Sequence, residues 1–149
     1  MQDLQWKCAE FEKLSSTELY GILQLRSEVF VVEQDCVYQD IDGYDQPALH
    51  VSGTIDGNLV CYARVLPPGL KYEGASIGRV IVRKASRGTG CGEILMHQAI
   101  AYSRLRWPNT RIVLSAQQHL EKFYTALGFE SVSEPYMEDG IPHVEMVMP

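Results

Sequence analysis

Hydrophobic and polar residues alternate along the first stretch of the chain, and the pattern changes to a helical spacing after position 15. The segment DLQWKCAEF, residues 3–11, roughly alternates and predicts a first strand. Ser15 and Glu18 have the spacing of a capping box, in which each side chain bonds the backbone of the other residue. Apolar residues then recur at helical spacing, so the sequence predicts a helix over 16–31.

The middle of the chain predicts a β-hairpin followed by a longer strand. Two β-rich runs flank Asp56-Gly57, a pair that favours a type I′ turn because both central residues need positive φ. The segment Pro-Pro-Gly at 67–69 ends this hairpin. The run IGRVIV at 77–82 predicts a strand that leads through a glycine-rich turn into a helix over about 90–105.

The last third of the chain predicts further strands and one short helix. RIVLSAQ at 111–117 is typical of a buried strand, and the next ten residues predict a short helix that ends at Gly128. Two final strands are expected around the turn MEDGIP at 137–142. No repeat or linker interrupts the pattern, so we expect one α/β domain over 1–149 in which an antiparallel meander gives way to a β-α-β unit.

Composition and charge narrow the possible functions. The chain is 46% hydrophobic and 21% charged, which is typical of a globular protein. Its formal net charge of −6 argues against a nucleic-acid-binding surface. The amino-terminal stretch lacks the pattern of a signal peptide, and no apolar run approaches the roughly 18 residues of a membrane span.

The cysteines and histidines do not form a metal or disulfide pattern. The four cysteines lie far apart without a Cys-x-x-Cys pair, and no two histidines have metal-ligand spacing. We therefore expect a cytoplasmic protein without metal, whose thiols are reduced: Cys8, Cys36, Cys61 and Cys91.

A glycine-rich loop, RGTGCG at 87–92, is the main candidate site. Glycines let a ligand approach the backbone, and the amides of the following helical turn favour an anion. The loop lacks the lysine and hydroxyl that a nucleoside-triphosphate loop requires. Its Gly88-x-Gly90-x-Gly92 spacing also differs from the dinucleotide fingerprint, and the next strand carries no acid at its end. A tight turn without a ligand is the simplest alternative.

The remaining match, Arg-x-x-Gly-x-Gly from Arg87 to Gly92, resembles the GCN5-related N-acetyltransferase (GNAT) superfamily. Four segments in order are most similar to its ElaA-type branch: LRSEVFVVEQ (25–34), IGRVIV with RGTGCGEILM (77–96), LSAQQHLEKFYTALGF (114–129) and DGIPHVEM (139–146). The resemblance implies a GNAT-like fold with a central mixed, mostly antiparallel twisted sheet flanked by helices. It also implies that the chain uses acetyl-CoA.

The same resemblance implies where acetyl-CoA binds. Backbone groups of the strand before the loop would pair with the pantetheine arm as an added strand: Val80, Ile81 and Val82. Loop amides and one arginine side chain would hold the pyrophosphate: Arg87, Gly88, Thr89, Gly90, Cys91, Gly92 and Glu93. Gln117 lies at a position where many relatives carry Asn. Gln117 and Tyr124 are the last two residues that the resemblance implies to contact acetyl-CoA.

Acetyl transfer to an amine requires two proton transfers. A lysine-like amine with a pKa of about 10.4 costs about 4.6 kcal/mol to deprotonate at pH 7, so a general base lowers the barrier. The CoA thiolate needs less assistance, and the resemblance implies that Tyr124 protonates it. The alternative is that Tyr124 packs on the sheet like Phe123.

Three residues are candidates for the base. Glu33 follows the first helix, His143 enters the last strand, and His50 lies at the mouth of the hairpin. Each residue also has an explanation without catalysis: Glu33 as a solvated acid, and His143 and His50 as structural histidines. We expect His97 and His119 to lie on helix surfaces.

An acidic segment, EQDCVYQDIDGYDQPA at 33–48, is predicted to be a loop. Asp40, Asp42 and Asp45 suggest calcium, but the order of ligands does not fit an EF-hand. We expect a solvated acidic loop, with a guard of negative charge beside an amine-binding cleft as the alternative.

The sequence therefore predicts an enzyme that transfers an acetyl group from acetyl-CoA to a primary amine by direct attack. No Gly-x-Ser-x-Gly motif or recognisable nucleophilic cysteine suggests a covalent enzyme intermediate. A non-catalytic acyl-CoA-binding regulator is the alternative. A small amine, an antibiotic, a peptide amino terminus and a lysine side chain all remain open as acceptors. We expect neither a nucleic acid nor a membrane as partner, and fold-level analogy admits a homodimer.

Overall fold

The computed structural model describes residues 3–149, and Met1 and Gln2 of the predicted domain lie outside the described residues. The strands are β1 (Gln5–Glu10), β2 (Leu49–Ile55), β3 (Asn58–Leu66), β4 (Ala75–Val82), β5 (Ile112–Gln117), β6 (Glu130–Ser131), β7 (Tyr136–Glu138) and β8 (Ile141–Met148). The helices are α1 (Ser16–Arg26), α2 (Cys91–Arg106) and α3 (Glu121–Ala126). Among the helices of residues 3–149, none is both long and apolar enough to cross a bilayer.

The first helix begins at the predicted capping box. The Ser15 hydroxyl accepts a hydrogen bond from the Glu18 amide at 3.0 Å, and the Glu18 carboxylate accepts one from the Ser15 amide at 2.9 Å. The helix then continues past Arg26 as a π-helical segment over Ser27–Glu33. The predicted helix over 16–31 is thus continuous, but it changes its hydrogen bonding half-way. π-Helical turns are rare and occur mostly at functional sites.

The sheet confirms the expected mixed, mostly antiparallel fold. Its strand order is β1-β2-β3-β4-β5-β8-β6, and β7 pairs with β8. Among the strand pairs of residues 3–149, only β4–β5 is parallel, and helix α2 connects these two strands. Asp56 and Gly57, with φ of 51° and 78°, form the tight turn that was predicted between β2 and β3.

The sheet divides between β4 and β5. These strands pair only at Ala75↔Ile112 and Ser76↔Val113. Beyond that point β5 pairs with β8 as far as Gln117↔His143, while β4 keeps β3 on its other side. One edge of β4 therefore faces an opening in the sheet, with backbone groups that no neighbouring strand uses.

Two hydrophobic clusters fix the helices on opposite sides of the sheet. Leu95, Met96 and Ala99 of α2 pack with the larger cluster, which includes side chains of all the long strands. Ile22 and Leu25 of α1 pack with a smaller cluster. Each fully buried aliphatic side chain contributes about 1.5–3 kcal/mol relative to an exposed one. The packing therefore holds the π-helical segment and the start of α2 beside the opening between β4 and β5.

Candidate active site

A pocket of about 690 Å³ occupies the opening between β4 and β5. Its walls are formed by the π-helical segment, β4, the glycine loop, the end of β5, helix α3 and the β7–β8 hairpin. Most of the predicted site residues line this one cavity, although they come from segments far apart in the sequence.

The glycine loop forms one end of the pocket. Gly88 and Gly90 have φ of 77° and 88°, a backbone conformation that disfavours other residues. A Cβ atom at either position would meet no other atom within 4 Å, so the glycines leave open space beside the backbone. Gly90 precedes α2, whose first-turn amides have no helical acceptor. This arrangement fits a phosphate group.

The other loop side chains stabilise the turn itself. Thr89 Oγ1 donates a hydrogen bond to the Ser86 carbonyl at 2.6 Å and lies 3.2 Å from Cys91 Sγ. The Cys91 side chain is buried, whereas Gly92 and Glu93 line the pocket. Thr89 and Cys91 are not among the residues that line the pocket.

Arg87 binds the carboxylate of Glu33 with both of its terminal nitrogens. The Nη1–Oε2 and Nη2–Oε1 distances are 2.5 and 3.0 Å, and Nε donates to the Val82 carbonyl at 2.9 Å. Both ion-pair partners line the pocket. The hydrogen bond from Arg87 is the main reason that the pKa of Glu33 lies below its ordinary value. Glu33 is therefore ionised at neutral pH and already paired.

The backbone of β4 follows the length of the pocket. Val80, Ile81 and Val82 all line it, and the Ile81 side chain is buried against α1. A ligand in the pocket therefore meets the free backbone edge of this strand. At the end of β5, Gln117 also lines the pocket, and its side chain lies 3.5 Å from that of Gln34.

Tyr124 lies in α3 with only 6% of its surface exposed and lines the pocket beside Phe123. The rings of Phe123 and Phe129 pack edge-on against it at centroid distances of 5.1 and 6.1 Å. Burial raises the pKa of Tyr124 to about 12, and no charged partner contributes. The hydroxyl therefore keeps its proton at neutral pH.

His143 lies near the start of β8, beside the end of β5, and its backbone pairs with Gln117 of that strand. The ring is 7% exposed, and Nδ1 lies 2.7 Å from the Ile141 carbonyl. Because a carbonyl can only accept, we assign the hydrogen of the neutral ring to Nδ1. Nε2 then carries a lone pair and lies 3.4 Å from a carboxylate oxygen of Glu138.

Sequence reasoning missed three residues around His143. Ser115 Oγ donates to Glu138 Oε1 at 3.2 Å and lies 2.5 Å from the Tyr136 hydroxyl, and Tyr136 stacks on the His143 ring. The signal was present in the turn Asp139-Gly140. A two-residue hairpin there pairs position 136 with 143, as the structure shows.

Of the other three histidines, only His119 lines the pocket. His50 is fully buried, with Nδ1 2.6 Å from the Tyr62 hydroxyl and Nε2 2.8 Å from the Asp45 carbonyl. Burial lowers its pKa, and it does not line the pocket. His97 is exposed on α2, as expected, whereas the exposed His119 lies at the edge of the pocket.

The expectation of a solvated acidic loop is wrong. Asp40 and Asp45 are only 8% and 4% exposed. Arg26 binds both, with Nε 2.9 Å from Asp40 and Nη1 2.7 Å from Asp45. Arg26 falls on the buried face of α1, one turn after Ile22, and a buried charge requires partners. The loop supplies them.

Two further arginines complete this network. Both terminal nitrogens of Arg64 lie 2.8 Å from the two carboxylate oxygens of Asp42. Arg79, at a bulge of β4 with φ of 48°, places Nε 2.8 Å from Asp40. That last contact is an ion pair by distance, although the N–H direction does not form a hydrogen bond. Three arginines thus balance three aspartates and anchor the loop, whose Cys36 and Tyr38 line the pocket.

The described residues contain no cluster of potential metal ligands. Within residues 3–149, no group of three His, Cys, Asp or Glu residues is arranged to hold a metal ion. The four cysteines are free thiols, and two of them are buried.

Comparisons with known proteins agree with this geometry. A family model described as an acetyltransferase (GNAT) domain matches residues 12–149. The chain belongs to the GNAT family. Members of this family transfer acyl groups from acyl-CoA, so the glycine loop and the free edge of β4 lie in an acyl-CoA-binding fold.

Relatives of this GNAT chain confirm the resemblance to the ElaA-type branch. It is 45% identical to Protein ElaA of Escherichia coli K12 over 145 residues, which cover 96% of this chain and 95% of ElaA. The crystal structure of E. coli ElaA matches with a TM-score of 0.94 at 43% identity, covering 99% of this chain and 100% of that one. An acyl-CoA N-acyltransferase from Pseudomonas aeruginosa matches with a TM-score of 0.95 at the same identity and coverage. The chain is thus an enzyme of the GNAT N-acetyltransferase type.

Proposed function

We propose that this chain transfers an acetyl group from acetyl-CoA to a primary amine by direct attack, and that it does so as one cytoplasmic domain. One observation carries the proposal. A single pocket is lined by the glycine loop, the free edge of β4, a protonated Tyr124 and the imidazole of His143. An anion cradle, a proton donor and a proton acceptor are the groups that acetyl transfer from a CoA thioester requires.

The cofactor-binding part of the proposal uses mostly backbone groups. The amides from Gly88 to Glu93 hold the pyrophosphate together with the Arg87 side chain, and the backbone of Val80–Val82 binds the pantetheine arm. Two open, left-handed glycines at the start of α2 support the first assignment. The unpaired edge of β4 supports the second. Acetyl-CoA supplies an activated thioester carbonyl.

We assign the general base to His143 rather than to Glu33. The carboxylate of Glu33 is paired with Arg87, which lowers its pKa and makes it a weaker base. His143 has one nitrogen fixed as a donor by the Ile141 carbonyl, so its other nitrogen accepts a proton. In this assignment Glu33 is the ion-pair partner of Arg87 when no CoA is bound.

The proton and bond changes then balance. His143 takes one proton from the ammonium form of the acceptor, and the neutral amine forms the new C–N bond. The C–S bond breaks with its electron pair on sulfur, which takes the proton of Tyr124. The second proton of the acceptor nitrogen returns to the Tyr124 oxygen through solvent. One acetamide, one CoA thiol and one released proton result.

A steady-state assay tests the proposal. CoA thiol release from acetyl-CoA is measured with polyamines, amino acids and lysine peptides, and the acetylated product is identified by mass spectrometry. His143→Gln should bind CoA normally and turn over about 100-fold or more slowly than wild type. Tight CoA binding without release on any amine would instead support the non-catalytic regulator.

A further inference from the structure

His143 Nε2 and Glu138 Oε2 face each other at 3.4 Å inside the pocket. When the ring is neutral, its one N–H hydrogen lies on Nδ1, which faces the Ile141 carbonyl, and Nε2 is then an acceptor. An ionised carboxylate has none either. Two acceptors at this distance repel each other unless a donor lies between or beside them. The pair is therefore suited to bind a cationic N–H group.

The surrounding contacts hold Glu138 in this orientation. Ser115 donates to its other oxygen, Oε1, at 3.2 Å. The tight turn at Asp139-Gly140, with φ of 51° and 77°, fixes the backbone of the hairpin on which Glu138 and His143 lie. Oε2 is consequently the oxygen left for a ligand. The Glu138 side chain is 45% exposed and lines the pocket.

The cationic side chains that line the pocket have partners other than Glu138. Arg64 and Arg79 are paired with aspartates and Arg87 is paired with Glu33, while Lys71 lies over the Tyr44 ring. Within residues 3–149, no lysine or arginine forms an ion pair with Glu138.

Glu138 and Glu145 also contribute to the raised pKa values of two tyrosines, in each case after burial. Burial, and then the proximity of Tyr136, Glu145 and Glu138, raises the pKa of the pocket residue Tyr72 to about 12. Burial raises the pKa of Tyr136 as well, the hydrogen bond with Ser115 opposes that rise, and Glu138 and Glu145 add to it.

We propose that Glu138 is the acceptor-binding residue and that the acceptor enters as an aliphatic primary ammonium, held by Glu138 Oε2 next to His143 Nε2. This inference rests on the proposed function and adds the substrate class to it. The ammonium gives one proton to Nε2, and Glu138 stabilises the imidazolium that forms. Anionic groups next to the reacting nitrogen would meet the Glu138 carboxylate, so amines without a neighbouring carboxylate are the preferred class.

A binding experiment tests the acceptor site without turnover. Butylammonium is titrated into the protein in the presence of CoA, and the dissociation constant is followed by calorimetry. A hydrogen bond to a charged group is worth enough that Glu138→Gln should weaken binding about 10- to 100-fold. Glu138→Asp should recover part of the loss, and Glu134→Gln, an exposed acid outside the pocket, should behave as wild type.

A turnover experiment separates a substrate contact from a structural effect. O-Butylhydroxylamine is a nucleophile of similar size that is neutral at pH 7, so it needs neither an ammonium site nor deprotonation. Glu138→Gln should lower kcat/KM about 10- to 100-fold for butylamine and leave it nearly unchanged for O-butylhydroxylamine.

The outcomes distinguish this inference from the proposed function. If butylammonium does not bind the wild type, or binds Glu138→Gln equally well, the assignment of Glu138 is wrong. An equal loss of kcat/KM for both nucleophiles would also overturn it, since the effect would then be structural. The proposed function fails only if no amine in the steady-state panel releases CoA.

Discussion

Arg87 and Glu33 form a two-point ion pair that joins the glycine loop to the end of the π-helical segment, with nitrogen–oxygen distances of 2.5 and 3.0 Å. The same guanidinium is the one that we assign to the CoA pyrophosphate. Phosphate binding therefore competes with Glu33 for Arg87. Because the two side chains are 40% and 33% exposed, the pair itself is worth little, about 0.5–1 kcal/mol.

Glu33→Gln should therefore tighten CoA binding modestly. Releasing Arg87 from the carboxylate should lower the Kd for CoA about 2- to 5-fold, while the turnover rate stays within about 3-fold of wild type. Calorimetry and steady-state kinetics measure the two quantities. Glu28→Gln is the matched control. Glu28 lies on the same π-helical segment as Glu33 and also pairs with an arginine, Arg83, but it does not line the pocket. If turnover instead slows by about 100-fold or more, Glu33 is the base and our assignment is contradicted.

Gly90→Asp should weaken CoA binding by at least about 10-fold. The new carboxylate would lie at the start of α2, where it repels a phosphate and competes for the same amides. Gly57→Asp controls for backbone strain, since Gly57 also has positive φ and open space but lies at the β2–β3 turn. Both variants should lose similar thermal stability. Unchanged CoA affinity in folded Gly90→Asp would show that the loop does not hold the pyrophosphate.

Tyr124→Phe should slow turnover about 10- to 100-fold and change the KM for acetyl-CoA little, because only the proton donor is lost. The fold should tolerate the change, since burial alone accounts for the raised pKa and no charged group depends on the hydroxyl. Tyr102→Phe, on α2 and outside the pocket, is the control. If KM rises while kcat is kept, Tyr124 binds the cofactor and does not act as the acid.

Asp42 should make the fold sensitive to acid. Burial alone would raise its pKa, but hydrogen bonds from Arg64 and the Tyr44 amide, and the charges of Arg64 and Arg79, bring it to about 2. Because this lies below the ordinary value of 3.8, the ionised carboxylate stabilises the fold above about pH 4. That contribution, about 2 kcal/mol, is lost as the pH falls from about 4 to about 2.

The free energy of unfolding in urea, measured between pH 2 and pH 5, tests this dependence. Asp42→Asn should be less stable than wild type at pH 5 and should lose less stability on acidification. Asp56→Asn, in the exposed β2–β3 turn, should keep the wild-type slope. Identical slopes for Asp42→Asn and wild type would show that Asp42 is not held by the arginines.

Local sequence signals were sufficient for most of the fold. The capping box at Ser15, the Asp56-Gly57 turn and the strand–glycine loop–helix unit each depend on residues that are close in the chain, and each is present in the structure. The β-α-β unit that the pattern predicted also makes the strands on either side of α2 neighbours, and the structure pairs them in parallel.

The rest depended on contacts between distant segments. Arg26 follows Ile22 on the buried face of α1, and Arg64 lies in a buried strand, so each arginine requires a charged partner. The identity of that partner, a loop up to 22 residues away, follows from tertiary packing and not from spacing. Likewise the hairpin register could place Tyr136 opposite His143, but not Ser115 beside Glu138.

The most direct test of acetyl transfer to an amine is a single-turnover experiment with acetyl-CoA labelled in the acetyl carbonyl. Enzyme in excess over labelled donor is mixed with an amine that is active in the steady-state panel, and small-molecule and protein fractions are separated at each time point. We predict that the label moves from CoA to the amine as an amide, with no labelled protein at any time. Label that passes first through the protein, or that never reaches the amine, would contradict direct attack.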